Sequence, residues 1–132
     1  MLMRTKLVLA GLGVATVGAT LGGIAMAADP TSNTIAPYAQ AAATVGRDGS
    51  TTQRTETIES VSKIATGAYC VVLTPGINAY KSIPMATLSS TAHRGSEIRV
   101  SRNDAACPSN SIRVNTGKDG AAADQPFYLF IP

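Results

Sequence analysis

The sequence predicts an all-β domain, an antiparallel sandwich or small barrel of about seven or eight strands with one disulfide, preceded by a cleaved signal peptide. Three observations predict it. Beyond residue 37, short runs of alternating apolar and polar residues recur between Gly, Pro and Asp-Gly turn signals. No amphipathic helical pattern follows the N-terminal segment. The two cysteines, Cys70 and Cys107, follow an export signal, and an even count in an oxidising compartment pairs up.

Residues 1–27 read as the signal. Arg4 and Lys6 form a positive n-region, Leu7 to Ile24 an uncharged run, and Ala25-Met26-Ala27 a small-x-small site that places cleavage between Ala27 and Ala28. A run of roughly 20 apolar residues can also span a bilayer. The Gly-rich, Thr-containing composition of this one and its processing site argue for removal and against a retained anchor. A lipid anchor would need a cysteine at the new N-terminus, and the first is Cys70. Residues 28–37 read as a flexible polar leader, and 38–132 as one domain.

Within that domain, Tyr38 to Val45 reads as a strand running into Asp48-Gly49, whose positive φ angles make a tight hairpin turn. Thr51 to Glu56 returns as a half-exposed, Thr-rich strand. From Thr57 to Ala65, the spacing of Ile58, Val61 and Ile64 suits a short helix or a bulged strand. Poor helix formers at Ser60, Val61 and Ser62, with Gly67 close behind, favour the strand. Ala68 to Thr74 is apolar on both alternating faces, so it should be central and covered on both sides. Ser82 to Ser90 reads as a strand with Pro84 near its start. Ile98 and Val100, then Ile112 and Val114, alternate with polar residues as in strands with one wet face. Asp119-Gly120 is a second turn, and Pro126 to Ile131 closes as an aromatic strand.

Removing the signal takes Arg4 and Lys6 with it and leaves nine Lys and Arg against eight Asp and Glu, close to neutral. Arg94, Arg99, Arg102 and Arg113 are interleaved with Glu97 and Asp104, so they read as a solvated strand face and not as a nucleic-acid footprint. A Cys70–Cys107 bridge would close a loop worth about 4 kcal/mol in the chain-entropy picture. Two thiols and the single histidine do not complete a zinc site, and no cofactor is expected.

A series of landmarks runs from Ala41 to Pro132: Ala43-x-Val45-x-x-Asp48-Gly49, Val61, Thr66-Gly67-x-Tyr69-x-Val71 and Ala86-Thr87. Ile98-x-Val100, Ile112-x-Val114-x-Thr116, Gly120 and Asp124-x-x-Phe127-x-Leu129 complete it. In this order the chain resembles an all-β domain of unknown function found in secreted actinobacterial proteins, sometimes beside collagen-like or tail-fibre segments. The resemblance implies a β-domain without a known active site. Members of that family often carry a cysteine at the chain end, where this chain has Pro132, so the disulfide rests on the cysteine count.

Catalytic signals are sparse. His93 lies in a polar loop, without a G-x-S-x-G elbow to supply a nucleophile. Asp119 and Asp124 lack the calcium-loop spacing, and turn formation accounts for Asp119. Paired carboxylates for glycoside hydrolysis would have to come from different strands, which spacing does not identify. P-loop, dinucleotide, C-x-x-C and H-E-x-x-H motifs are absent. Of the six aromatics after the signal, four lie in strands expected to supply the core; Tyr80 is the best exposed candidate for stacking on a sugar ring, but a tyrosine packed down against its own loop is the favoured reading. The expected function is therefore that of a secreted, non-enzymatic domain making contact with a cell-envelope component or secreted protein. The contact loops would be Gly76 to Lys81, with Tyr80 and Lys81, and Ala92 to Gly95, with His93 and Arg94. No nucleic-acid partner and no membrane insertion after signal removal are expected. The alternatives are a small protease inhibitor presenting Ala105 to Ser109, and a minor hydrolase.

Overall fold

A computed structural model describes residues 38–132. The signal peptide, its Ala27/Ala28 cleavage site and the 28–37 leader lie outside the described residues. Alternation folds these residues into nine strands: β1 (Ala41–Val45), β2 (Thr51–Arg54), β3 (Ile58–Ala65), β4 (Ala68–Leu73), β5 (Met85–Leu88), β6 (Ser96–Arg102), β7 (Ser111–Lys118), β8 (Ala121–Ala122) and β9 (Phe127–Ile131). A 3₁₀ turn, Ala79–Lys81, precedes β5.

The strands form two antiparallel sheets, so the architecture is a sandwich. The first has the order β2-β1-β9-β5; the second has the order β3-β4-β7-β6, with β8 pairing beside β7. Alternate residues point inward from both sheets: Ala41, Ala43 and Val45 of β1 and Phe127, Leu129 and Ile131 of β9 meet Tyr69, Val71 and Leu73 of β4 and Ile112 and Val114 of β7. The Tyr69 and Phe127 rings pack edge to face at 5.1 Å across the interface. Buried Tyr69 also donates its hydroxyl proton to the Arg47 carbonyl at 2.7 Å, which satisfies its one polar atom.

The three-residue spacing in β3 comes from a bulge, not a helix. The register shifts between Ile58 and Ser60, so Ile58 still faces Leu73 and Val61 faces Val71. That edge strand is guarded on its open side. The Arg54 guanidinium donates to the carbonyls of Ile58 and Glu59, and the β1–β2 turn abuts Lys63 so closely that a Cβ on Gly49 would lie 3.0 Å from its backbone nitrogen.

The central strand β4 is covered on both sides, as its apolar faces require. Inside it meets the core; outside, Cys70 is bonded to Cys107, with Cα atoms 5.6 Å apart, and the 103–110 loop lies over the strand. Several strands are shorter than their sequence patterns. β2 ends at Arg54, with Thr55 still donating its N–H to the Ala42 carbonyl before the chain crosses to the second sheet, and Ser82 and Ile83 belong to the loop before Pro84, which has no N–H for a ladder. One aromatic assignment is corrected. Tyr69 and Phe127 are core residues, but Tyr128 and Phe130, on the outward positions of β9, are 44% and 37% exposed.

Candidate functional site

The two expected contact loops flank β5 and lie at its opposite ends, so the structure does not bring Tyr80 and Lys81 together with His93 and Arg94. The loop before β5 is tightly held. Asn110, at φ 61, accepts from the Ala79 N–H through Oδ1 and donates through Nδ2 to the carbonyls of Leu73, Thr74 and Ile77. Asn78 caps the 3₁₀ turn, accepting from Tyr80 and Lys81, and Arg102 donates to the carbonyls of Tyr80 and Ser82. Tyr80, Lys81 and Ile83 are thereby presented to solvent, Tyr80 at 71% and Ile83 at 72% exposure, on a backbone with little freedom. Tyr80 does not pack onto its own loop.

At the other end, His93 is exposed. Its backbone N–H donates to Oε1 of buried Gln125, whose Nε2 lies 3.4 Å from the ring Nδ1. Neither a carboxylate nor a hydroxyl is hydrogen-bonded to that ring among the described residues, so it has neither a nucleophile to activate nor an acid to orient it. Nor do three His, Cys, Asp or Glu side chains converge to hold a metal ion among the described residues. No helix among them is long and apolar enough to cross a membrane.

Asp124 is a clamp for the β3–β4 turn: it accepts from the Gly67 N–H at 2.6 Å and pairs with Lys63 at 2.7 Å. The Lys63 hydrogen bond and the Gly67 N–H hold its carboxyl below the ordinary carboxylate value against a desolvation that opposes them. Asp104 is held low by the Ala106 N–H and the Arg113 guanidinium. These contacts account for both carboxylates structurally.

The surface that sequence reasoning missed is the outward face of the first sheet. Register sets Met85 beside Phe130, Thr87 beside Tyr128, Ala42 beside Phe130, and Thr44 between Tyr128 and Gln53. Met85 is 53% exposed, and no residue in this set is charged. The alternation of β9 already assigns Tyr128 and Phe130 to one side; what it does not reveal is that both stay partly exposed there, beside Met85. No family model, curated protein or solved structure matches this chain.

Proposed function

We propose that the chain is an exported, non-enzymatic recognition domain that docks an uncharged, apolar surface of a protein partner in the cell envelope or its surroundings. The observation that carries this is the bare stripe of Met85, Tyr128 and Phe130 on a face without charge. Met and aromatic residues are enriched where protein interfaces exclude water, and a neutral face offers nothing to a polyanion. The signal-like N-terminus, the disulfide and the resemblance to secreted β-domains support the exported setting. The isolated His93 supports binding over hydrolysis. The segment suggested for protease inhibition closes as a turn, with Cys107 N–H donating to Asp104 and Ala106 N–H to the Asp104 carboxylate, and so offers no extended strand to a protease cleft.

The test is capture from the producing cell's envelope and medium by the purified exported protein, the retained protein then being purified and its binding measured directly. Met85→Ser with Phe130→Ser should abolish binding of that protein; because Phe130 is only 37% exposed and pairs with Met85 across the strands, the double variant should also unfold at a lower temperature, so binding is compared at a temperature where circular dichroism shows both proteins folded. Equal binding by the double variant would overturn the reading, as would turnover in a hydrolase screen.

A further inference from the structure

We infer that the outward groove of the second sheet is a binding site for a neutral saccharide. It lies on the other sheet from the proposed docking face, so either site can fail without the other. The groove has a volume of about 460 Å³ and runs over β6, β7 and β8, within the size range of small-ligand sites. Ile98 and Val100 pack toward the core, so alternation turns Glu97, Arg99 and Ser101 outward. Register places Gly117 opposite Glu97 and Asn115 opposite Arg99.

Two features separate this groove from an ordinary solvated strand face. First, its polar groups are uncommitted. Arg47, Arg54, Arg102 and Arg113 each donate to a backbone carbonyl or a carboxylate, whereas Glu97, Arg99, Ser101 and Asn115, like exposed Arg94 outside the groove, make no side-chain hydrogen bond or ion pair among the described residues. Second, one of them is positioned by packing. A Cβ on Gly117 would lie 2.7 Å from the Ala121 carbonyl oxygen and 3.0 Å from the Glu97 carboxylate, so only glycine lets β8 and the Glu97 side chain close over β7 there, which sets the Glu97 carboxylate at the edge of the groove.

The donor set selects the ligand. Glu97 only accepts, Arg99 only donates, and Asn115 and Ser101 do both. A carboxylate ligand would meet Glu97 and an amine would meet Arg99. A hydroxyl donates to one and accepts from the other, so a chain of ring hydroxyls satisfies the whole set without burying a net charge. Tyr80, the exposed aromatic before β5, is not among the groove's residues, and recognition is by hydrogen bonds alone.

Amide chemical shifts of the purified exported protein, followed during titration with maltotetraose, cellotetraose, chitotetraose and mannotetraose to about 10 mM each, test the assignment, with triglycine as the zwitterionic control. At least one saccharide should shift the amides of 97–101, 115–117 and 120–122, and Arg99→Ala and Asn115→Ala should each weaken it by about tenfold or more while leaving distant resonances in place. Shifts elsewhere, undiminished binding by both variants, no response to any saccharide, or the same shifts with triglycine would overturn it.

Discussion

The two sheets obey the same alternation, yet their outward faces differ. On the second sheet, the outward Cys70 is fully buried because the 103–110 loop crosses it, and outward Arg113 is engaged by Asp104 of that loop at 3.0 Å. On the first sheet, Met85, Tyr128 and Phe130 occupy equivalent outward positions and remain partly exposed. Alternation decides which side chains leave the core. Whether they stay wet is decided by the connections, and only the β6–β7 connection carries a cysteine that fastens it down as a roof.

Breaking the bridge should have the largest effect. Cys70→Ser with Cys107→Ser lifts the restraint on a loop whose ends are 37 residues apart, and the expected loss is about 4 kcal/mol in urea unfolding. Amide exchange should show β4 and β7 losing more protection than β1 and β9. Equal loss on both sheets would mean that the bridge holds the domain as a whole and not one face of it.

Asn110 sharpens the comparison, because it ties the end of the roof to the Tyr80 loop. Asn110→Ala removes four side-chain hydrogen bonds and puts a Cβ without compensation at φ 61, for an expected cost of about 2–3 kcal/mol. Asn110→Gly loses the same bonds but suits that backbone, so it should recover about 1 kcal/mol of the loss. If the two variants unfold at the same urea concentration, the backbone at 110 is not strained and the side-chain bonds account for everything.

Much of this was legible in the sequence. Apolar residues on both faces of 68–74 marked a strand covered twice, the cysteine count paired Cys70 with Cys107, and Asp-Gly steps marked two turns. What was not legible depends on distant contacts. Asn110 looks like any loop asparagine until Leu73, Thr74 and Ile77 are brought to it. Ala121–Ala122 carries no strand pattern and pairs because the turn before it returns the chain onto Gly117 and Lys118. The aromatic run of β9 reads as core in composition, although only its inward half is buried.

Acid should loosen the turns and the loop that carboxylates hold, on both sheets, because Asp48 in the β1–β2 turn is also held low, by the Ser50 hydroxyl and N–H. Asp104 and Asp124 are both held below the ordinary value of 3.8, so their contribution is fully present above that value and is lost as pH falls through the lower folded-state values. The urea midpoint should therefore fall below about pH 4. Asp124→Asn, which removes the Lys63 partner's charge, should flatten that fall. An unchanged slope in Asp124→Asn would show that the clamp on the β3–β4 turn does not sense its ionisation.

The smallest effect is expected where the chain passes from the first sheet to the second, at His93. The ring is exposed and its one side-chain partner is the Gln125 amide at 3.4 Å, a long contact, while the stronger tie runs from the His93 backbone N–H to Gln125 Oε1 at 3.1 Å and survives truncation. His93→Ala should therefore change stability by no more than about 0.5 kcal/mol. Partner capture through Met85 and Phe130 should be unaffected, since those residues lie on the outward face of the first sheet and not in this loop. A binding domain tolerates the loss of this imidazole, whereas an enzyme relying on its one histidine does not. If the purified protein hydrolysed any ester, peptide or glycoside in a screen and His93→Ala abolished that turnover, the loop between the sheets would be the working part of the molecule, and the bare face of the first sheet would revert to ordinary surface.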